Sequence, residues 1–201
     1  MVRRWAGLDA FVRDTRRYGF RRHYRVAPWS EFMELHWGDG CQFYITPVST
    51  REVCVVLISH EPHVRIDTAL AQFPRTARLL CSAEATDYER GAVSATRQIH
   101  SVCRGRVALV GDASGSVDAI TGEGLCLLFQ QSVALAEAFE AEDLSLYERQ
   151  HRRIGRRPRW MADLMLLMGR RRRLRKAAIG TMAAQPWIFN GMLRMHVGHL
   201  L

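Results

Sequence analysis

One stretch of the sequence combines glycines and acids in a pattern that could hold a ligand. It reads Gly-Arg-Val-Ala-Leu-Val-Gly-Asp-Ala-Ser-Gly-Ser-Val-Asp-Ala-Ile-Thr-Gly-Glu-Gly-Leu and spans residues 105–125. Residues 106–110 predict a buried strand that ends at Gly111 and the acid Asp112. Two glycines then flank Glu123 where a helix is predicted to begin, so a ligand can approach the backbone closely. The free amides and positive dipole end of a helix start favour an anionic or electron-rich ligand.

These residues resemble the second flavin motif of the para-hydroxybenzoate hydroxylase superfamily, which includes aromatic-ring monooxygenases, flavin halogenases and geranylgeranyl reductases. The likeness lies in Val-Gly-Asp-Ala at 110–113 and Thr-Gly-Glu-Gly-Leu at 121–125. The resemblance implies that Asp112 hydrogen-bonds the ribityl chain of FAD. It also implies that amides at the helix start face the pyrimidine edge of the isoalloxazine, where reduction puts negative charge. The implied cofactor-binding residues are Gly111, Asp112, Thr121, Gly122, Glu123, Gly124 and Leu125.

The stretch departs from the family pattern at two positions. Ala119 stands where members usually carry proline, and Cys126 stands where many hydroxylases have asparagine. Residues 118–124 are closer to the reductase-like branch. The resemblance implies an FAD-dependent oxidoreductase. A monooxygenase is favoured over a reductase, despite the likeness of residues 118–124 to the reductase-like branch. A halogenase comes third because the Trp-x-Trp-x-Ile-Pro signature is absent. NAD(P)H is the candidate electron donor, and the implied substrate is a small molecule, aromatic or isoprenoid.

Other parts of the chain fit the same resemblance in order. Residues 41–59 resemble the substrate-domain hairpin, with 44–47 at its turn, and residues 3–8 resemble the tail of an earlier Asp-Gly motif. No G-x-G-x-x-G occurs in the sequence, although that motif opens the nucleotide-binding unit of such enzymes. The expectation is a C-terminal portion that needs a missing N-terminal dinucleotide-binding half for activity.

The elements that would position these residues form an α+β fold. Short apolar runs separated by turn residues predict a largely antiparallel sheet that serves as the substrate domain. The strand–loop–helix of a Rossmann-like FAD domain and a C-terminal helical region follow it. The predicted strands are 20–26, 32–37, 41–46, 53–59 and 91–100, with a helix at 66–82 broken by Pro74. The expected divisions are 1–15 as the tail of the first half, 16–103 as substrate domain, 104–142 as second FAD-contacting segment and 143–201 as helical region.

The second half of the chain is predicted to be helical. Residues 125–140 are apolar on nearly every side, which predicts a fully buried helix. Residues from 144 onward predict helices interrupted at Gly155, Pro158, Gly169 and Pro186.

No catalytic side chain is assigned, because in flavin chemistry the cofactor performs the hard step and the protein orients the reactants. Residues 22–24 (Arg-His-Tyr) are candidates to line a substrate pocket over the flavin. Gln42, Tyr44 and Thr46, which share one strand face, are further candidates. The remaining histidines are expected to have structural or surface roles. Their spacing in the sequence is not that of metal ligands.

The net charge of +9 comes from one segment. Residues 151–176 carry ten arginines and one lysine against one acid, so their formal charge is +10 and the rest of the chain sums to −1. A solvated or acid-facing helix surface is favoured, and no nucleic-acid partner is expected. Peripheral membrane contact through 152–176 stays open, although the Met- and Leu-rich residues 160–168 favour core.

The sequence indicates a cytoplasmic protein. Five scattered cysteines without a Cys-x-x-Cys pair predict reduced, mostly buried thiols. The N-terminus lacks the apolar region of a secretory signal, and apolar runs such as 53–58 are too short to span a membrane. Two classes of function remain: part of a flavoenzyme, or a non-catalytic truncated product or basic binding protein that retains the fold.

Overall fold

The structure is a computed structural model that describes residues 2–197. Its contacts divide the chain into two compact units. The sheet unit comprises Arg16–Ser94, and the helical unit comprises the residues up to Thr15 together with those from Ala95 onward. The division falls inside two strands, Phe11–Arg25 and Arg90–Ile99.

The strands are β1 (Phe11–Arg25), β2 (Glu34–Trp37), β3 (Cys41–Ser49), β4 (Glu52–Ser59), β5 (Glu84–Ala85), β6 (Arg90–Ile99), β7 (Cys103–Arg104) and β8 (Val107–Ala108). The helices are α1 (Val2–Ala6), α2 (Ile66–Leu70), α3 (Pro74–Leu80), α4 (Gly124–Glu140), α5 (Leu144–Arg170), α6 (Arg172–Ala184) and α7 (Pro186–Val197). The sheet has the order β2-β3-β4-β1-β5, with β6 also paired to β1. β1 pairs with β4 and β5, and β3 pairs with β2 and β4, all antiparallel. The predicted combination of an antiparallel sheet with helices is confirmed.

Alternation along the strands builds the core of the sheet unit. Phe43 on β3 lies opposite Leu57 on β4, and neither side chain is exposed to solvent. The short helices α2 and α3 cover this face of the sheet and add Ile66, which is also fully buried. Phe73, between the two helices, packs edge to face on Phe43 at 4.9 Å between ring centroids, a favoured aromatic geometry.

The hairpin turn lies further along the chain than predicted. Residues 44–47 belong to strand β3, and the chain turns between Ser49 and Glu52. β2 pairs with β3 only as far as Ile45, so β3 is an edge strand beyond that point. The register with β4 also shifts between Pro47 and Ser49. A proline is tolerated at such an edge and irregularity, because no strand there requires its missing N–H.

The core of the helical unit lies between α4, α5 and the segments that precede them. Ile99, Val102 and Leu109 pack there with Ala134 of α4 and with Tyr147 of α5. Tyr147 is completely buried. These contacts bring the chain around residue 110 against both long helices.

The expected interruptions at Gly155 and Pro158 are wrong, because α5 runs unbroken from Leu144 to Arg170. Buried side chains lie on both sides of Pro158, with His151 before it and Met161 after it. Tertiary packing of this kind outweighs a local helix breaker. The other two positions coincide with helix ends, since α5 stops one residue after Gly169 and α7 begins at Pro186.

Two burial predictions are wrong for a common reason. The expected strand 106–110 is reduced to β8, which pairs antiparallel with β7 and leaves Val107 46% exposed. Helix α4 forms, but Leu125, Phe129 and Val133 on one face are each at least 60% exposed. A parallel sheet would bury both elements, and residues 2–197 supply no such sheet.

The cysteines are all free, yet only Cys41 and Cys54 are buried, so the predicted burial of most thiols is wrong. Met161, Ala162 and Met168 are buried as expected for core residues, whereas Trp160 is exposed. Helix α6 buries none of its residues. Within residues 2–197, no helix has both the length and the hydropathy that a membrane span requires.

Candidate functional site

The turn that carries Asp112 is held from two directions within the helical unit. Gly111–Ala113 form a short 3-10 turn in which Gly111 has φ +55°. The amide of Gly111 donates to Oε1 of Gln131 on α4 at 2.7 Å. From the other side, Nε of Arg3 donates to the carbonyl of Ala113 at 2.7 Å, and its guanidinium also binds the carbonyl of Asp112. The backbone is thereby fixed while the Asp112 side chain remains exposed.

A second turn shapes the start of α4. The carboxylate of Asp118, which is 4% exposed, accepts from the amide of Ile120 at 3.0 Å and from Thr96 Oγ1 at 3.3 Å. The chain then passes through Gly122, whose φ of +70° is a left-handed conformation that glycine adopts without strain. The amide of Leu127 makes the first bond of the helix, to the carbonyl of Glu123 at 2.9 Å.

Three amides at the start of α4 precede that first bond, so they point away from the helix body. They belong to Gly124, Leu125 and Cys126. The side chain of Glu123, at the N-cap position, makes no capping hydrogen bond. A Cβ placed on Gly122 or on Gly124 would meet no other described atom within 4 Å. The helix start is therefore open to the approach of an anionic or electron-rich group.

The site residues predicted from the sequence lie together at this end of α4, but not all of them face the solvent. The turn bearing Asp112 packs on the same helix, because a Cβ on Gly111 would lie 3.0 Å from Cδ1 of Leu128. Leu125 is exposed. Thr121 is buried, and its hydroxyl donates to the carbonyl of Asp118 at 3.2 Å. Thr121 thus stabilises the turn, whereas contact of the whole set with FAD stays a prediction.

A buried polar network beneath the Asp112 turn was not predicted. Oγ of Ser114 lies 2.8 Å from the carbonyl of Gly111 and 3.1 Å from Oε1 of Gln131. It also lies 2.9 Å from Nε2 of His151. The two carbonyl oxygens can only accept, so the hydroxyl proton goes to one of them and His151 donates to Ser114. A clue to this network is the position of Gln131 on the buried stripe of α4.

The network holds a neutral imidazole. Burial, followed by the nearby charge of Arg159, lowers the pKa of His151 to about 4. On the preceding turn, Glu148 accepts from the amides of Val102 at 3.0 Å and Cys103 at 3.2 Å. Burial raises the pKa of Glu148, but the hydrogen bonds from Val102, Ser101 and Arg152 outweigh it, so the pKa is lowered overall. Near neutral pH, His151 is therefore neutral beside the Asp112 turn, while Glu148 is charged and holds the backbone at 102–103.

In the sheet unit, the register separates the candidate pocket residues into two groups. His23 lies opposite Cys54, which lies opposite Thr46, so His23 shares a face with Gln42, Tyr44 and Thr46. Arg22 and Tyr24 lie on the opposite face, where Tyr24 joins the core. The polar groups available to a substrate are therefore those on the face of His23, Gln42, Tyr44 and Thr46, because the opposite face belongs to the core.

Two of these face residues already have strong partners inside the sheet unit. The amide of His23 donates to Asp87 at 2.7 Å, and its ring Nδ1 lies 3.0 Å from the same carboxylate. Those hydrogen bonds lower the pKa of Asp87. Gln42, 4% exposed, accepts from the guanidinium of Arg17. Tyr44 and Thr46 are half-buried, which leaves them the more accessible candidates on this face.

Comparison with solved structures identifies the class of fold. CmlS, a flavin-dependent halogenase, superposes with a TM-score of 0.64 at 18% identity over 78% of this chain and 32% of its own. PyrE3, a Diels-Alderase of pyrroindomycin biosynthesis, gives a TM-score of 0.71 at 20% identity over 98% of this chain and 47% of its own. HpxO of Klebsiella pneumoniae, solved with FAD and uric acid, gives 0.65 at 21% identity over 100% of this chain and 58% of its own.

The chain therefore has a flavoprotein-oxidoreductase-like fold at the coarse level, and it spans between a third and about three fifths of these solved chains. No protein-family model matches the sequence, and no curated protein matches it either. The likeness is one of fold alone.

Proposed function

We propose that this chain supplies the isoalloxazine side of an FAD site and the substrate sheet of a monooxygenase-like flavin oxidoreductase. The observation that carries the proposal is the open start of α4. There, uncapped amides and two glycines without neighbouring atoms lie on the helix against which the exposed Asp112 turn packs. The flavoprotein-like fold supports the choice of flavin over other electron-rich ligands.

Each part of the site has a distinct role in this proposal. A bound flavin supplies the redox chemistry. The amides of Gly124 and Leu125 favour negative charge on the ring edge that faces them, because they carry the positive end of the helix dipole. Asp112 accepts from hydroxyl groups of the ribityl chain. Arg3 and Gln131 keep the Asp112 backbone in place. Within the sheet unit, Tyr44 and Thr46 supply polar groups for a small aromatic or isoprenoid substrate.

A second proposal concerns the partner that would complete the cofactor site. The adenosine and pyrophosphate parts of FAD need a G-x-G-x-x-G unit, which these residues do not contain. The exposed apolar face of α4, made by Leu125, Phe129 and Val133, supports docking of a parallel sheet that carries that unit. Whether that sheet belongs to the same polypeptide or to a separate one does not alter the surface it would cover. NAD(P)H as electron donor is part of the same proposal.

The test is flavin retention by the chain co-expressed with a segment bearing G-x-G-x-x-G, with each part expressed alone as the control. After gel filtration, the complex is expected to carry FAD in stoichiometric amount, seen in the flavin absorbance bands. A co-purifying complex without flavin, into which added FAD also fails to bind, would overturn the proposed function.

The basic segment supports a subsidiary proposal of peripheral contact with an anionic membrane. Helix α6 buries none of its residues and carries exposed Leu174 and Ile179 beside the arginine cluster at 170–173. Such a helix binds interfaces through apolar burial and charge together. Flotation with vesicles of anionic lipid, compared with vesicles of neutral lipid, tests it. Equal flotation with both would exclude a role for the arginines.

A further inference from the structure

A cavity of about 330 Å³ lies inside the helical unit, on the inner side of the loop that follows Asp112. Its walls come from β6, from the loop 114–117 and from helices α4 and α5. None of the residues proposed to contact flavin lines it. This volume is at the lower end of the range for small-molecule pockets.

The cavity wall is well defined on the β6 side. Arg97 and Ser116 exchange two backbone hydrogen bonds, each of 2.9 Å. Gly115, the residue before Ser116, has φ +122°, and a Cβ at that position would lie 2.8 Å from the carbonyl oxygen of Arg97. Only glycine fits there, so the loop lies directly against the strand and gives the cavity a fixed shape.

The charges around the cavity do not cancel. Arg97 pairs with Asp14 at 3.1 Å, and Arg152 pairs with Glu148 at 3.1 Å. Arg159 has no carboxylate partner within the described residues, and its guanidinium donates to the carbonyl of Arg152 at 3.2 Å. Arg159 is partly buried, and this burial lowers the pKa of its guanidinium. A partly buried cation without a counter-charge is unfavourable unless an anion completes it.

The position of Arg159 depends on a glycine one turn earlier. Gly155 is buried on the cavity wall, and a Cβ there would collide with the guanidinium of Arg159. The side chain of Arg159 therefore folds back along α5 through the space that Gly155 leaves. The absence of a side chain at Gly155 allows the cation to reach the cavity.

The remaining walls determine which anion fits. Apolar groups from Ile99, Val102 and Leu127 line one part of the cavity. His151 is neutral near pH 7, since its pKa is about 4, so it contributes a polar edge and no charge. A planar guanidinium binds a carboxylate through two parallel hydrogen bonds. The lining thus combines the guanidinium of Arg159 with apolar groups on one part of a wall that is otherwise largely polar.

We propose that this cavity binds a small organic carboxylate, with Arg159 as its charge partner and the apolar wall around its body. The site is distinct from the proposed flavin contacts, because none of the residues proposed to contact flavin lines it and its binding involves no redox step. Ligand in this cavity would contact Ser114 and Gln131, the residues that hold the Asp112 turn.

Calorimetric titration of the full chain at neutral pH tests the proposal, with benzoate as the probe and benzamide as its uncharged analogue. Benzoate is expected to give saturable binding that benzamide does not. Arg159→Gln is expected to weaken benzoate binding by about tenfold to a hundredfold, the range for loss of a charged hydrogen bond. Arg156→Gln is the matched control, because Arg156 is exposed on the same helix and does not line the cavity.

A second variant keeps the charge but moves it. Gly155→Ala should displace the guanidinium of Arg159, which is the flexible end of a side chain, without disrupting α5. It is expected to weaken benzoate binding as well, and it serves the same purpose if Arg159→Gln does not fold. Absence of saturable benzoate binding, equal binding of benzamide, or an equal loss in Arg156→Gln would each overturn the proposal.

Discussion

The hydroxyl of Tyr147 donates a hydrogen bond of 2.6 Å to the carbonyl of Leu109. Tyr147 lies on the first turn of α5 and is completely buried, and Leu109 lies three residues before Asp112. Burial raises the pKa of the Tyr147 phenol, so it remains a donor at all physiological pH values. One hydrogen bond therefore ties the C-terminal helices to the segment that positions the candidate flavin site.

We expect Tyr147→Phe to destabilise the protein by about 1–3 kcal/mol, because the variant leaves the carbonyl of Leu109 buried without its partner. Urea unfolding followed by circular dichroism measures the change. Tyr88→Phe is the control, since Tyr88 is 91% exposed, and it should stay within about 0.5 kcal/mol of the parent. Equal effects of the two substitutions would show that the hydrogen bond to Leu109 has no energetic role.

Replacing Arg3 should loosen the Asp112 turn. Arg3→Ala removes the donors to the carbonyls of Asp112 and Ala113, and for a half-exposed guanidinium we expect a cost of about 1 kcal/mol. Amide hydrogen exchange in 111–116 should accelerate as the turn opens more often. The neighbouring Arg4 is the matched control, because its side chain is 87% exposed and its contact with Asp9 is 3.8 Å long. A similar exchange pattern in Arg4→Ala would contradict the assignment.

Titration of His151 is expected to make the free energy of unfolding fall as the pH is lowered. Its pKa in the folded protein, about 4, lies below the ordinary value of 6.5, so between these values the unfolded chain binds a proton that the folded chain does not. The stability contributed by neutral His151 is therefore present above pH 6.5 and lost as the pH falls toward 4. The full loss is on the order of 3 kcal/mol.

The measurement is the free energy of unfolding between pH 4 and pH 7, for the parent and for His151→Gln. The parent should lose more stability than the variant as the pH is lowered, because glutamine does not titrate. Parallel pH profiles would mean that His151 titrates alike in the folded and unfolded states.

Loss of the exposed carboxylate should weaken flavin binding. In the complex with a nucleotide-binding segment, Asp112→Ala is expected to lower FAD affinity about tenfold to a hundredfold, which corresponds to one charged hydrogen bond. Fluorescence quenching of added FAD measures the affinity. Asp9→Ala, an exposed acid of the same unit, should leave the affinity unchanged. If flavin affinity is the same in both variants, Asp112 does not contact the cofactor.

The 201-residue chain alone is expected not to retain FAD. In the proposed function, the open start of α4 and Asp112 contact only one end of the ligand, and those few contacts would not offset the cost of ordering a large flexible molecule. Absorbance in the flavin bands after purification, followed by titration with FAD, tests this. A stoichiometric yellow protein from the chain alone would mean that these residues contain a complete flavin site.

Local patterns in the sequence predicted most elements of the sheet unit, because alternation and turn residues act over a few positions. The strand face shared by Gln42, Tyr44 and Thr46 follows from period two alone. The pairing of His23 with that face, through Cys54 to Thr46, depends on register between strands. Register is a tertiary property, which a single sequence does not display.

Some failures concern element bounds, such as the hairpin turn and the helix breaks expected at Gly155 and Pro158, and others concern burial. Residues 125–140 form the predicted helix, but apolarity on every side indicated burial that Leu125 and Phe129 do not have. Hydrophobicity reports what a segment is suited to contact, while burial depends on the contacts that are present. The network of Ser114, Gln131 and His151 was missed because its members are far apart in sequence.

The division of the chain at Thr15 and Ala95 sets an order for folding during synthesis. Residues 2–15 leave the ribosome before their partners in the helical unit, which emerge about 80 residues later, a delay on the order of 4–16 seconds at typical translation rates. The inserted segment can fold during this interval, because its strands from Arg16 to Ser94 are already available to pair. Residues 2–15 stay without those partners until then, so this segment is exposed to proteases and chaperones for the length of that interval.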